Sequence, residues 1–409
     1  MSAHGFDTGA QRGCPFMPVF GPPPVMFERG SGTELWDTEG RRYLDFLCGL
    51  AVTSLGHAHP VVSDALCRQS TELLHVSNYF ANPVALGAAQ RLVELLGDVT
   101  GLDGQVFFCN SGAEANEAAL KIARKFGGRG RHVVVSALGS FHGRTLATLA
   151  ATGQPAKHEP FVPMPEGFRH VPFDDADALE AAIDLSVAAV IVESVQGEGG
   201  VRPASAGYLR NVRRICDDHG MLLIVDEVQT GFARTGRWFG FEHDDVVPDV
   251  VTMAKAMGNG MPVGAVWARR DVAAVMRPGD HGSTYSGTAI ATAVVSAVID
   301  EMRRIDAPCL ASDRGSRLAA LVAAVPGVSA VRGRGLLLAA ELESPLAAGE
   351  VCAAALRCGL VVNAVTSTAL RLAPPITVTD AEIVEGVGLL ATAIAEISTG
   401  SVASTGGAH

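Results

Sequence analysis

Residues 222–262, LLIVDEVQTGFARTGRWFGFEHDDVVPDVVTMAKAMGNGMP, constrain the fold more than any other stretch. Four apolar residues run without a polar break into Asp226 and Glu227, and a second run, VVTMA, ends in Lys255 and a glycine-rich turn. An apolar run too short for a helix and lacking a polar face fits a strand covered on both sides, as in a parallel sheet layered between helices. Similar runs recur at VFFC (106–109), HVVVS (132–136), AAVIVE (188–193) and VGAVWA (263–268), with helical patterns between them. Strands alternating with helices predict an α/β chain with a mostly parallel, doubly wound sheet. In such sheets ligands gather at the carboxyl ends of the strands, where Asp226 and Lys255 fall.

After about residue 290 the helices lengthen, and VRGRGLLLAAELE with GLVVNA predicts a second, smaller sheet. The expected division is an N-terminal arm over 1–60 contributing to the small domain, a large domain over 61–290, a small α+β domain over 291–397, and a disordered Ser/Thr/Gly/Ala-rich tail over 398–409. At 409 residues the chain is long enough for two cores. Its formal charge of −11 argues against nucleic acid or anionic membrane as partners, so an anionic substrate has to be met by local arginines. Eight cysteines with no CxxC pair and no His/Cys cluster read as reduced thiols of a cytoplasmic protein, without zinc or another metal. No apolar run approaches the ~18 residues of a membrane span.

Lysine usage sharpens the central motif. Lys121, Lys125, Lys157 and Lys255 are the only lysines. The first two are four apart on a helical pattern, and Lys157 sits in a loop with Gln154, Pro155 and His158. Lys255 alone is flanked by apolar residues and glycines, where burial would turn an ammonium into a nucleophilic amine. From position alone a strand-end surface lysine remains an equal reading. A lysine that captures an aldehyde and an aspartate that keeps a pyridine nitrogen protonated are the pair that pyridoxal phosphate chemistry uses. Two rivals lack their phosphate-binding sequences: no G-x-x-x-x-G-K-[ST] accompanies the apolar-Asp-Glu strand, and no G-x-G-x-x-G links an early strand to a helix. Ser111-Gly112-Ala113 stands between a strand and a helix, either as an anion cradle of backbone N–H groups or as an ordinary cap with Glu114 behind it.

Long ordered segments carry a family resemblance: YLDFLCGLAVTSLGHAHP (43–60), FFCNSGAEANEAALKIARK (107–125), SFHGRTLATLAATGQ (140–154), VQGEGGVRPA (195–204), LLIVDEVQTGFARTG (222–236), MAKAMGNGMPVGA (253–265), PGDHGSTYSG (278–287) and LRLAPP (370–375). Over residues 18–396 the chain resembles the class III pyridoxal-phosphate aminotransferases of the acetylornithine type, with the fold-type-I architecture. The resemblance implies pyridoxal 5′-phosphate as cofactor and a homodimer with shared active sites. It implies Lys255 as the aldehyde-bonding lysine and proton carrier, and Asp226 as partner of the ring nitrogen. Gln229 is then expected on the ring hydroxyl, Val228 and Phe141 on the two ring faces, and Ser111, Gly112 and Ala113 around the phosphate. Thr284, with Ser283 beside it, would reach in from the neighbouring subunit. Arg371 is similar to the arginine that grips the α-carboxylate of glutamate and 2-oxoglutarate, and Arg144 to the one that binds a distal carboxylate. Glu198 resembles a switch that pairs with Arg371 while the ω-amine is bound.

The implied reaction moves the δ-amino group of N2-acetyl-L-ornithine to 2-oxoglutarate, as in arginine biosynthesis. Succinylornithine, ornithine and 4-aminobutyrate are the alternative donors, and a non-catalytic scaffold is the alternative of another class. The chain departs from the family pattern at Phe20 and Leu50, where ornithine-type members carry tyrosines. It also departs at Ser194, at Asn259 within GNG, and at Ser286, Thr288 and Ala289. Phe20 and Leu50 offer no hydroxyl to a free α-amino group, which favours an acylated donor.

Overall fold

The computed structural model describes residues 16–405, with side chains to residue 399. Three short strands open it: β1 (Phe27–Ser31), β2 (Glu34–Asp37) and β3 (Arg42–Asp45), joined by the turn that the DTEG sequence predicts. The main sheet follows, with β4 (Gly104–Cys109), β5 (Val133–Ala137), β6 (Phe168–Val171) and β7 (Val187–Val192). A two-stranded hairpin, β8 (Val195–Gln196) and β9 (Arg202–Pro203), leaves the end of β7. The main sheet is completed by β10 (Leu222–Asp226), β11 (Val250–Met253) and β12 (Gly264–Arg269).

Its seven strands lie in the order β4-β12-β11-β10-β7-β5-β6. The four pairings from β11 to β6 are parallel, whereas β12 runs antiparallel to both neighbours. This is the mostly parallel sheet expected from the apolar runs, with one reversed strand that the VGAVWA pattern could not reveal. Because successive side chains on a strand point to opposite faces, Leu222 and Ile224 enter one apolar layer and Leu223 and Val225 the other. The helix Gly112–Gly127 covers the first layer with Ala118, Ala119, Leu120, Ile122 and Ala123.

A second sheet, in the order β13-β14-β17-β16, is antiparallel throughout. It comprises β13 (Val328–Arg334), β14 (Leu337–Leu342), β16 (Asn363–Ala364) and β17 (Ala369–Leu372). Between them β15 (Leu360–Val361) adds in parallel to β3, which ties the C-terminal half to the start of the chain. The terminal helix spans Asp380–Thr405, and the tail expected from residue 398 begins within it. Ser398 and Thr399 donate their hydroxyls back to the Ile394 and Ala395 carbonyls, both at 2.9 Å. Residues 406–409 lie outside the described part. No described helix is long and apolar enough to cross a membrane.

Arg234 joins these parts. Its guanidinium is fully buried and donates to the Ser54 hydroxyl (2.7 Å), the Leu336 carbonyl (3.1 Å) and the Pro374 carbonyl (2.5 Å). A buried cation without such acceptors would be costly, and the acceptors without the cation would be stranded in turn. Arg234→Leu should therefore lower the unfolding free energy by about 3 kcal/mol or more, read from urea denaturation at fixed protein concentration. Arg214→Ala, on the surface, should shift the same curve far less; equal shifts would contradict the joining role.

Candidate active site

Parallel pairing of β10 with β11 sets Asp226 opposite Thr252, three residues before Lys255. The two sequence-predicted groups thus meet at the carboxyl end of the sheet, around a cavity of about 370 Å³. Lys255 sits on its floor in a left-handed conformation (φ 46°) at the start of a 3₁₀ turn. Burial lowers its amine below the ordinary lysine pKa; Glu198 opposes this shift, and the Arg371 charge adds to it. The surface reading of Lys255 is thereby set aside.

Asp226 is buried and its carboxylate is held from several sides. Oδ1 accepts from the Val228 N–H (3.0 Å), while Oδ2 accepts from Asn116 Nδ2 (2.8 Å) and pairs with His142 Nδ1 (2.8 Å). Burial works against a proton on His142, yet the hydrogen bond and charge of Asp226 prevail and raise its pKa. Nothing in its sequence position placed His142 in the site; its bond to Asp226 brings it there. Asn116 was missed too. Its one signal was position, four residues after Gly112 and hence on the same helix face. Glu227 turns away, accepting from Thr230 Oγ1 (2.6 Å) and the backbone N–H groups of Gly240 (2.9 Å) and Phe241 (2.9 Å).

Ser111, Gly112 and Ala113 form one wall at the N-terminus of the helix Gly112–Gly127. Both readings of Ser111 hold together: its hydroxyl accepts from the Glu114 N–H (3.1 Å), and the same end of the helix faces the cavity. Gly112 has to be glycine there, since a Cβ would lie 2.7 Å from Val228 Cγ1. Phe141, Val228, Gln229, Arg144 and Glu198 complete the lining among the predicted residues. Arg144 lies over Phe141, with Cζ 5.6 Å from the ring centroid.

Three predicted residues are not in the wall. Arg371 is buried one layer behind, donating to Glu198 Oε1 (2.6 Å), Gln229 Oε1 (3.2 Å) and Asn363 Oδ1 (3.0 Å). Asn363, unforeseen from sequence, faces Arg371 across the β16–β17 pair. Gln229 therefore spends its amide oxygen on Arg371. Burial raises the Glu198 pKa, but the Arg371 charge and hydrogen bond outweigh it and leave the carboxyl below its ordinary value. Ser283 lies outside the cavity, its hydroxyl accepting from Asn110 Nδ2 (3.1 Å), with Thr284 next in the same loop. Phe20 and Leu50 do not line the cavity either.

These groups fit a phosphorylated pyridine aldehyde. A helix end with a glycine approach suits the phosphate, a buried carboxylate suits a pyridinium nitrogen, a desolvated amine suits the aldehyde, and Phe141 with Val228 supplies apolar surface for a ring.

Glu193, at the exit of β7, accepts from the Phe141 N–H (3.1 Å) and so fixes that ring's backbone. Burial pushes its carboxyl from 4.5 up to about 7; His142 opposes the shift and the Asp226 charge adds to it. Between those two values the folded chain keeps a proton that the unfolded chain has released. Stability from this group is complete below pH 4.5 and disappears as pH rises through about 7. Glu193→Gln, which keeps the acceptor, should flatten the decline in thermal stability over this window by about 2–3 kcal/mol. Glu227, also pushed up to about 7 by burial, leaves a residual slope. Melting curves of both proteins at pH 5 and 7.5 decide; parallel pH slopes would contradict the protonated state of Glu193.

The aminotransferase class-III family model matches residues 18–394. The acetylornithine aminotransferase of Corynebacterium efficiens is 45% identical over 389 residues, covering 93% of this chain and 95% of that protein. The succinylornithine transaminase of Salmonella typhimurium is 42% identical, over 94% of this chain and 96% of its own length. Among solved structures, a Toxoplasma gondii ornithine aminotransferase, described with partial occupancy of PLP at its active site, superposes with a TM-score of 0.87. It shares 34% identity over 92% of each chain. With the family model spanning nearly the whole chain and an amine, a carboxylate and a helix end gathered around one cavity, this protein belongs to the class-III aminotransferases.

Proposed function

We propose that this pyridoxal-phosphate-dependent aminotransferase moves the δ-amino group of N2-acetyl-L-ornithine to 2-oxoglutarate, giving N-acetyl-L-glutamate 5-semialdehyde and L-glutamate. The observation that carries the reading is the Glu198–Arg371 pair, 2.6 Å long, at the edge of the Lys255 cavity. With Glu198 in place the arginine is neutralised, and a substrate entering by an uncharged-carbon ω-amine end meets no free cation there. When glutamate or 2-oxoglutarate enters, its α-carboxylate replaces Glu198 on Arg371 as a bidentate partner. Asn363 holds Nε of the arginine throughout, which leaves the remaining edge of the fork for the exchange.

Pyridoxal 5′-phosphate, when bound, supplies the aldehyde that receives amino groups and a ring that spreads the charge left on the reacting carbon. Lys255 would serve as its attachment point and then as the base that carries the proton to and from that carbon, and burial, by lowering its pKa, favours the uncharged amine that this work needs. Asp226 keeps the ring nitrogen protonated, and Asn116 and His142 hold the carboxylate in place. Gly112 and Ala113 offer N–H groups to the phosphate, with Ser111 capping the helix beneath them. Phe141 and Val228 would cover the ring faces, and Gln229 would stand by its hydroxyl. Arg144 would meet the distal carboxylate of the keto acid or the carboxylate of acetylornithine, and Ser283, beside Thr284, would join it from the neighbouring subunit.

A homodimer completes the site on this reading. Leu74, Tyr79, Phe80, Leu86 and Tyr285 are exposed apolar residues on two adjoining segments, joined by Asn78 Nδ2 donating to the Ser283 carbonyl (3.0 Å). A second copy would cover this patch, and Thr284 within it would reach the phosphate of the partner's site. The large domain over 61–290 would hold the cofactor and the C-terminal domain the carboxylate arginine. The step belongs to arginine biosynthesis and, with it, to the cytoplasm.

Succinylornithine is the second donor to consider, since a relative with that name is 42% identical. Glutamate formed from 2-oxoglutarate should be largest with acetylornithine in a panel with succinylornithine, ornithine and 4-aminobutyrate. Free ornithine outperforming both acylated donors would overturn the assignment. Arg371→Ala should slow the glutamate half-reaction by about a hundredfold or more while changing the acetylornithine half-reaction by less than about tenfold. Equal losses in single-turnover measurements would refute the exchange between Glu198 and substrate.

A further inference from the structure

Asn259 is a departure that the reaction just described does not use. It closes the turn Lys255–Gly258 in a left-handed conformation (φ 42°, ψ 43°), which asparagine adopts more readily than other side-chain-bearing residues. The residue is only 7% exposed, and both ends of its amide are engaged. Oδ1 accepts from the Leu55 N–H (2.8 Å), and Nδ2 donates to the Gly56 carbonyl (3.1 Å). A single side chain thus bonds the backbone of two successive residues in a loop some two hundred residues away in sequence.

That loop is itself bound to the segment leaving β17. The Ile376 N–H donates to the Ser54 carbonyl (2.7 Å), and the Thr377 hydroxyl to the Leu55 carbonyl (3.1 Å). Arg234 grips Ser54 and Pro374 together, and the Ala373 N–H donates to the Phe46 carbonyl (2.6 Å). Two bonded links therefore connect the turn that starts with Lys255 to the strand that carries Arg371. Asparagine can make the first link because it presents a donor and an acceptor side by side; glycine offers neither and aspartate only the acceptor.

We propose that Asn259 is a positioning residue that sets the separation between Lys255 and Arg371 by clamping the lysine turn to the 53–56 loop. The proposal rests on the assignment of Arg371 to the α-carboxylate of glutamate and 2-oxoglutarate. A substrate held at both ends, at Arg371 and at the lysine, is sensitive to that separation, because a misplacement of about 1 Å can cost up to a hundredfold in rate. An ω-amine substrate that leaves Arg371 to Glu198 is not. The clamp is thus a device for one half-reaction of the cycle.

The test is Asn259→Gly in the holoenzyme, a change that removes both bonds and tolerates the positive φ. Expected are faster amide hydrogen exchange at Leu55 and about a tenfold loss of kcat/KM for glutamate and 2-oxoglutarate, carried mainly by kcat. The ω-amine half-reaction should stay within about twofold of wild type. Asn259→Asp, which keeps the acceptor for Leu55, should show the same asymmetry at smaller size, and it decides the question alone if the glycine variant does not fold. Equal losses in the two half-reactions, or unchanged exchange at Leu55, would overturn the proposal. The exchange rate and the glutamate half-reaction do not depend on which ω-amine is the donor. A wild type inactive on acetylornithine therefore strikes the substrate assignment and leaves the clamp standing.

Discussion

A carboxylate taken out of water has to be matched on its lone pairs, and the geometry around Asp226 is the consequence. The central strand delivers it to the sheet's edge fully enclosed. Asn116 from the covering helix, His142 from the loop after β5, and the Val228 N–H from its own chain then share its two oxygens. The helix, the loop and the strand end cannot shift independently without stranding a charge. Because the same helix presents its N-terminus to the cavity, the site for negative charge and the carboxylate are held at a constant spacing. Rigidity at one end of the cavity is built from a single buried anion.

The other end is built for exchange. Arg371 is as buried as Asp226 yet contacts Glu198, a residue of the short hairpin that is itself partly exposed, with side-chain exposures of 1% and 32%. Such a pair can open without unfolding anything, whereas the pair of Asp226 with His142 is held more tightly, with side chains only 4% and 0% exposed. The contrast assigns the two charged pairs different work. The enclosed one keeps its place through the cycle, and the half-open one gives way to a carboxylate of the right size. Asn363 and Asn259 are uncharged and bond to arginine or backbone, so they hold geometry without adding a charge that competes for substrate.

Legibility in the sequence followed range. Apolar runs of both-face burial gave away β7, β10 and β11, because a parallel strand between helix layers has no polar side to hide. The reversal of β12 was not readable, since an antiparallel strand buried on both faces has the same composition. Ser111 and Glu114 announced a helix end because capping is local chemistry. Ten of the residues expected in the site line one cavity, among them Lys255, Asp226, Phe141 and Arg144. Asn116 and His142 escaped because an Asn within a helix and a His after a Phe look alike whether they face core, solvent or a carboxylate. Ser194 and Thr288, both buried, differ from the family pattern, and nothing in the structure explains those two choices.

By itself the sequence determined which chemical groups were available and which short elements carried them. A lone lysine among glycines, an aspartate ending an apolar run, and a serine before a helix are all properties of neighbours along the chain. Only the tertiary structure decided which groups meet. The pairing of β10 with β11, the placing of Asn363 across from Arg371, and the reach of Asn259 to Leu55 join residues that are eight to about two hundred positions apart. Those distances are closed by packing the two sheets against the segment around residues 45–57, and burial acts on surfaces that no local pattern contains.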